Sequence, residues 1–235
     1  MAGAPRPDGA TRRGVVMDWA VVLDNRAALF SAFLTTLGLA GATIVLSVLL
    51  AFPLALMREA RSRPPRLAAA VFSWVMRAVP ALTLLFLTYF GLPQIGIYLD
   101  AIPAAIAGLT LSAAGYNMEY IRAGLRAVPA EQYEAARSLG MGRWLLLRRV
   151  IVPQALRTIM PPLTSNLTLV MKGSSLAGMV AVTELTGEGM ALISRTYRPF
   201  EILITIGITY LLMNGVLIWA QHRIEERFSL RRPSA

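Results

Sequence analysis

The feature that most constrains this chain is a run of uncharged residues, 27–57, that is long enough to cross a lipid bilayer. At about 1.5 Å per residue, a helix of this length exceeds the roughly 30 Å thickness of a hydrocarbon core. Further apolar segments follow at 67–90, 104–118, 155–171 and 202–220. The sequence therefore predicts an all-α integral membrane protein with about five transmembrane helices.

Composition agrees with this prediction and excludes several classes of protein. Hydrophobic residues make up 56% of the chain and charged residues 15%, with a mean hydropathy of +0.57. A soluble domain averages about 45–50% apolar and about 25% charged residues. The chain has no cysteine and one histidine, His222, so we expect no disulfide and no metal site. The net charge of +10 is spread between the apolar runs rather than gathered on one folded surface, which argues against nucleic-acid binding.

Arginines are unequally distributed among the segments that join the apolar runs. They concentrate in 58–66, 122–157 and 221–235, whereas 91–103 contains none. Because cytoplasmic loops of membrane proteins are enriched in Lys and Arg, we expect the arginine-rich segments and the C-terminus to be cytoplasmic.

The same pattern divides the chain into three parts. We expect a polar and disordered N-terminal tail over 1–26, a membrane domain over 27–222 and a cytoplasmic tail over 223–235.

The membrane domain contains one long polar segment, EQYEAARSLGMGRWLLLRRVIVPQ. Its first part, 129–140, is predicted to be a short surface helix, since Glu131 and Glu134 suit a helix N-terminus and Gly140 suits the position after a helix end. The basic and apolar stretch 143–152 is predicted to be a second short helix that lies along the membrane.

Ala135 and Ala136 give the first of these helices little bulk. A slim helix with flanking charges suits a groove on another protein. An ordinary loop helix is the alternative, because alanine and glutamate are good helix formers. The residue types by themselves leave both interpretations open.

The segment EAARSLGMGRWLLLRRVIVP resembles the EAA signature of ABC-importer permeases, which reads Glu-Ala-Ala, three residues, Gly, nine residues and Ile-x-Leu-Pro. The corresponding positions here are Glu134, Ala135, Ala136, Gly140, Val150, Val152 and Pro153. The blocks AGYNMEYIRAGLRAV, VPQALRTIMPPLTSN and KGSSLAGMVAVTEL are similar to those of the polar amino-acid permease subfamily, so that the likeness covers about residues 30–225. RAVP, at 77–80, departs from the Arg-Gly-Thr-Pro usual in that subfamily.

The resemblance implies a cytoplasmic coupling-helix loop, region 129–153, that docks on a separate ATP-binding subunit. The implied coupling residues are Glu134, Ala135, Ala136, Ser138, Leu139, Gly140 and Met141. It also implies two ATP-binding subunits, a second copy of the permease or a homologous permease, and an extracytoplasmic solute-binding protein. The chain would lie in a bacterial cytoplasmic (inner) membrane and translocate a polar amino acid; another small polar solute is the alternative. No cofactor is expected on this chain, since ATP and Mg²⁺ would bind the partner subunit.

In this subfamily the region that resembles KGSSL faces the translocation pathway. The implied pathway residues are Asn166, Lys172, Ser174, Ser175 and Leu176. Lys172 would attract a substrate carboxylate, or else extend to the membrane surface or pair with Glu184. Asn166 has the alternative of bonding to a neighbouring helix. Arg77 is interpreted as structural, with ligand contact as its alternative. The absence of acidic residues over 165–182 favours a neutral or acidic amino acid.

Three other functions fit the residues less well. MKGSS has its lysine before its glycine and lacks the upstream glycines of a phosphate loop, so we expect this chain not to be the ATPase. A membrane-embedded enzyme would need a convergent catalytic set, and only Lys172 with Ser174 or Ser175 comes near one. A stand-alone channel would leave the polar segment 129–153 without a role.

Overall fold

The structure is a computed structural model that describes residues 17–228. Every regular element within those residues is helical, which confirms the predicted all-α class. The helices are α1 (Ala20–Asp24), α2 (Arg26–Arg58), α3 (Arg63–Ala78), α4 (Ala81–Phe86), α5 (Ala101–Arg126), α6 (Ala130–Ser138), α7 (Arg143–Leu146), α8 (Val152–Gly173), α9 (Leu185–Thr196) and α10 (Pro199–Phe228).

The five predicted spans correspond to five helical regions of different shape. α2 and α10 are long and apolar enough to cross a membrane by themselves. Two further pairs of helical segments are bent. One pair is α3 with Ala81–Ile95, and the other is Arg143–Val180 with α9; if each pair counts as one span, the number of spans rises from two to four. α5, which contains the predicted run 104–118, has 26 residues, or about 39 Å of helix, but is not apolar enough to be counted with these four.

The second predicted span, 67–90, is not one straight helix. Its two halves meet at an angle of 105° between Ala78 and Ala81. Val79 has extended backbone angles, φ −82° and ψ 129°, as expected for a residue that precedes a proline. Pro80 also lacks the N–H that would continue the helix. The bend therefore follows from the RAVP sequence.

α5 is the central helix of the bundle and packs against α2, α3, α4 and α8. Small residues permit this close packing. A Cβ added at Gly108 would lie 3.0 Å from the Leu85 backbone, and one at Gly124 would lie 2.9 Å from the carbonyl oxygen of Ala155. Such distances are too short for a side chain, so α4 and α8 approach the α5 backbone itself.

Buried polar contacts join helices at the start of α9. The Glu184 side chain is fully buried and accepts hydrogen bonds from the backbone N–H groups of Thr186 (2.9 Å) and Gly187 (2.7 Å), which caps α9. The Tyr210 hydroxyl of α10 donates to the same carboxylate at 2.9 Å. The backbone N–H of Leu185 donates to a threonine hydroxyl of α2 at 3.0 Å. These contacts tie α2, α9 and α10 together.

The two predicted tails lie partly outside the described residues, which exclude 1–16 and 229–235. Within 17–26 the structure shows α1 and the first residue of α2, where the sequence predicted disorder. The backbone N–H of Asp18 donates to the Glu201 carboxylate at 2.9 Å, which holds this segment against α10.

The polar region 129–153 differs from the prediction in one respect. α6 is a separate short helix as expected, but α7 is not, because the chain remains helical from α7 through a widened turn at Leu147–Ile151 into α8. Pro153 has no N–H to donate. In the widened turn each hydrogen bond joins residues five apart instead of four, which accommodates the missing donor without ending the helix.

Candidate functional site

The end of α6 is closed by a glycine cap. Gly140 has φ +73°, a left-handed conformation that L side chains rarely adopt. Its N–H donates to the Arg137 carbonyl at 2.9 Å, and the N–H of Met141 donates to the Ala136 carbonyl at 3.1 Å. This is the Schellman pattern, in which Met141 also packs towards Ala136 inside the bundle. The predicted role of Gly140 as a helix terminator is confirmed.

The turn that follows α6 is exposed and is here called the tip of α6. Leu139 is 81% exposed, an unusual position for a leucine, and no atom lies within 4 Å of where a Cβ of Gly140 would be. Six of the seven predicted coupling residues are fully or partly exposed here. The exposed residues are Glu134, Ala135, Ser138, Leu139 and Gly140, with Met141 partly buried.

Ala136 is the one predicted coupling residue that is buried, and it packs in the same apolar cluster as Ile151 and Ala155. Its small side chain lets α6 lie flat on the bundle, whereas that of Ala135 faces outward. The two alanines therefore serve opposite faces of one helix.

A cavity of about 320 Å³, here called the central cavity, lies between α3, α5 and α8. Residues that line it include Arg77, Pro80, Leu109, Ser112, Tyr116 and Asn166. Its volume is that of a small-molecule pocket, which is about 300–1,000 Å³. No acidic residue is among the described residues that line it.

Arg77 and Tyr116 form one wall of the central cavity. The Arg77 guanidinium carbon lies 5.7 Å from the centre of the Tyr116 ring, within the range of a cation–π contact. The Tyr116 hydroxyl donates to the Arg77 carbonyl at 3.4 Å. Among the described residues no carboxylate lies within ion-pair distance of Arg77, so its charge is available to a ligand.

Asn166 lies at the same cavity and also supports the bundle. Its amide donates to the Asn117 oxygen at 2.8 Å, and the Asn117 amide donates to the Ser47 hydroxyl at 3.0 Å. This buried series joins α8, α5 and α2. Asn166 therefore both lines the central cavity and makes the hydrogen bond to a neighbouring helix that was its predicted alternative.

The other predicted pathway residues are not gathered with Asn166. Lys172 is exposed and lines a separate groove of about 330 Å³ with Tyr210 and Asn214 of α10. Successive helical residues lie about 100° apart, which explains why Gly173 lines the central cavity and Lys172 does not. Within the described part of the chain Lys172 makes no ion pair with Glu184, whose oxygens are taken by other donors.

The three residues after Gly173 are also held by the protein itself. The hydroxyl of Ser174 is buried and donates to the Met171 carbonyl at 2.7 Å, and that of Ser175 donates to the Lys172 carbonyl at 2.7 Å. Leu176 packs against the apolar cluster that contains Ala177. Of the predicted pathway residues, Asn166 alone lines the central cavity. The other polar residues that line it are Arg77, Ser112 and Tyr116.

A second cavity, of about 510 Å³, adjoins the first and is here called the α3–α5 cavity. Residues that line it include Arg58, Trp74, Arg77, Tyr116, Glu119 and Arg122. Of the residues that line this cavity, Arg77 alone was singled out from the sequence, and the cavity was not predicted. The spacing of about one helical turn along α5, from Tyr116 to Glu119 to Arg122, was the available signal.

Comparison with known proteins gives concordant results. The family model described as binding-protein-dependent transport system inner membrane component matches residues 44–230. An octopine transport system permease protein of Rhizobium meliloti is 37% identical over 220 residues, covering 88% of this chain and 90% of that protein. A probable glutamine ABC transporter permease protein of Bacillus subtilis is 33% identical over 207 residues, covering 87% and 95%. The crystal structure of an amino acid ABC transporter with histidines superimposes with a TM-score of 0.83 at 32% identity, covering 91% of this chain and 100% of that one.

Proposed function

The chain belongs to the family of inner-membrane components of binding-protein-dependent transport systems, and we propose that it forms the pathway for a polar amino acid in an ATP-driven importer. The observation that carries the proposal is its likeness, over nearly the whole chain, to an amino acid ABC transporter of solved structure. As a permease subunit it needs three kinds of partner: ATP-binding subunits, a second permease chain and an extracytoplasmic solute-binding protein.

The exposed tip of α6 supports docking on the ATP-binding subunit. Leu139 presents an apolar side chain to the outside, and Glu134 and Arg137 place opposite charges beside it. An exposed apolar residue within a charged rim suits insertion into a cleft on a partner. Closure of two ATP-binding subunits on ATP and Mg²⁺ would move these tips together, and the rigid bundle would transmit that movement to the spans.

The proposed orientation puts α6 and the end of α10 in the cytoplasm. Its support is the concentration of arginines in 58–66, 122–157 and 221–235. The start of α10 and the turn after α9 would then face the extracytoplasmic side, where a solute-binding protein delivers its cargo.

The central cavity supports a cargo that carries a carboxylate. Arg77 supplies a cation without a carboxylate partner in the described part of the chain, Ser112 supplies a hydroxyl, and no described lining residue is acidic. A guanidinium binds a carboxylate through two parallel hydrogen bonds. We therefore expect a neutral or acidic amino acid rather than a strongly cationic one.

The proposal is tested on the whole transporter in proteoliposomes, with ATP inside and the binding protein outside. A test mixture of the standard L-amino acids and octopine is supplied outside, and ATP hydrolysis and solute uptake are measured. We expect the test mixture to stimulate hydrolysis and at least one amino acid to enter. If no component stimulates hydrolysis or enters, the proposed cargo class is wrong.

Arg77→Gln is the variant that examines the cavity. Loss of a charge-assisted hydrogen bond of about 1.5–3 kcal/mol should raise the external concentration needed for half-maximal uptake by about tenfold or more. Arg66→Gln is the matched control, since Arg66 lies exposed at the other end of α3 and outside the cavity. Equal uptake curves for the two variants would show that Arg77 does not bind the transported solute.

A further inference from the structure

The α3–α5 cavity adjoins the central cavity through residues that line both. These are Arg77, Ala78 and Tyr116, so the stacked pair of Arg77 and Tyr116 stands at the boundary between the two spaces. The α3–α5 cavity extends from this boundary to Arg58, the last residue of α2, and to Arg122 near the end of α5. The two cavities therefore share Arg77 and Tyr116 as a common wall.

The charges in the α3–α5 cavity are only partly compensated. Arg122 is held by two carboxylates, from Glu119 at 2.8 Å and Glu59 at 2.9 Å. Arg58 and Arg77 have no carboxylate within ion-pair distance in the described residues. The Nε atom of Arg58 is also buried without a hydrogen-bond partner. The cavity therefore has two guanidinium groups whose hydrogen-bonding capacity the protein leaves open.

An anionic group would satisfy these donors. The Nε atom of Arg58 has almost no exposed surface, so an acceptor in the cavity would bind the terminal N–H groups of Arg58 and Arg77. The planar guanidinium group is shaped for carboxylate or phosphate oxygens. Glu119 also lines this cavity; its Oε2 accepts from Arg122 at 2.8 Å, and its Oε1 remains to accept from an ammonium group. A molecule with one carboxylate and one ammonium group fits this arrangement better than a phosphate does.

We propose that the α3–α5 cavity is a second, release-side site for the transported amino acid, in which Arg58 and Arg77 hold the carboxylate and Glu119 faces the ammonium group. The inference rests on the proposed function and adds a regulatory consequence to it. Amino acid that accumulates inside the cell occupies this site, blocks release from the central cavity and slows further import. Binding to one state of the transporter alone also shifts the population towards that state.

The test uses the same proteoliposomes, with the test mixture now sealed inside as well as supplied outside. The measurement is the ratio of stimulated ATP hydrolysis in loaded vesicles to that in empty vesicles. We expect internal mixture to lower this ratio in the unaltered protein. In Arg58→Gln the internal concentration that halves the rate should rise by about tenfold.

Arg126→Gln is the matched control, because Arg126 is also an arginine at this end of α5, is 58% exposed and lies outside the cavity. It should be inhibited at the same internal concentration as the unaltered protein. Arg58→Lys is a second variant, since it keeps the charge but loses the planar donor pair, and its half-inhibiting concentration should fall between the other two. It replaces Arg58→Gln if that variant does not fold.

The outcomes separate the two proposals. If the external mixture stimulates hydrolysis but the internal mixture never inhibits, the release-side site is overturned and the proposed function stands. Equal inhibition of Arg58→Gln and Arg126→Gln also overturns it. If inorganic phosphate inside, or anionic phospholipid in the vesicles, lowers the ratio and Arg58→Gln removes that effect, the cavity is a phosphate site instead. Failure of external stimulation in the unaltered protein counts against the proposed function.

Discussion

Gly140 determines where the tip of α6 points, because its φ of +73° directs the chain back towards the bundle. A residue with a Cβ pays roughly 1–2 kcal/mol in this left-handed region. The space around Gly140 is open, so the penalty of a substitution comes from the backbone angle and not from a clash. The cap is therefore a local device whose loss would displace Leu139 without disturbing the core.

We predict that Gly140→Ala lowers uptake and stimulated ATP hydrolysis by about fivefold to thirtyfold, the factor that corresponds to 1–2 kcal/mol. The protein should reach the membrane in normal amounts, since the substitution lies outside the packed bundle. Gly142→Ala is the control, because Gly142 is equally open but has φ −64°, which alanine adopts readily. Similar transport by the two variants would contradict a role of the cap in coupling.

Residue roles in this chain were predictable where local geometry decides them. The terminator role of Gly140 follows from its position after a helical pattern, and the capping hydrogen bonds confirm it. The burial of Ala136 did not follow, because a nine-residue helix of small and charged residues has no clear apolar face. The contact of Arg77 with Tyr116 joins positions 39 residues apart, and no local pattern predicts such a pair.

Helix packing around α5 depends on positions that have no side chain. Gly108 lies against α4, where an added Cβ would be 3.0 Å from the Leu85 backbone and 2.9 Å from the Thr88 hydroxyl. The Thr88 hydroxyl also donates to the Ala104 carbonyl of α5 at 2.8 Å. Close approach and hydrogen bonding thus occur at the same place, and they fix the bent half of the second span against the centre of the bundle.

We predict that Gly108→Val lowers the free energy of unfolding by about 1–3 kcal/mol, since the backbone of α4 cannot move aside without breaking this contact. Gly38→Ala is the control at a helical glycine with no neighbour within 4 Å, and it should be neutral or stabilising by up to about 1 kcal/mol. Thermal unfolding of the purified protein in detergent measures both. A Gly108→Val protein with the unfolding temperature of the unaltered chain would show that α4 and α5 are less closely packed.

At the level of elements, apolar runs predicted the order of the long helical segments but not their shape. α5 is longer than its predicted run 104–118, because its last turns are polar and end in the ion pairs of Arg122 and Arg126 with Glu59. The join of α7 to α8 was missed, since a proline ordinarily marks a helix start and here a widened turn accommodates it. Bends and joins depend on local backbone geometry at prolines, which hydropathy does not register.

For the molecule as a whole, the two ends of the bundle differ in chemistry. One end carries α6 with its exposed tip and the ionic cluster of Glu59, Arg122 and Arg126. The chain leaves this end along α8, and α9 then leads to Tyr197, which is 85% exposed. The proposed coupling and delivery surfaces therefore lie at opposite ends, so a movement at α6 reaches the delivery side only through the helices between them.

The chain contains no cysteine, so that a single introduced cysteine is its only thiol. Ser138→Cys at the α6 end and Tyr197→Cys at the other end replace exposed residues and leave the buried core unchanged. Because the arginine-rich segments favour the cytoplasm, a membrane-impermeant maleimide should label Ser138→Cys only in inside-out vesicles. Tyr197→Cys should be labelled only in right-side-out vesicles.

If the two reactions exchange sides, α6 faces away from the compartment that holds ATP, and docking of its tip on an ATP-binding subunit is excluded. If both residues react from the same side, the chain between them, through α8 and α9, does not cross the membrane.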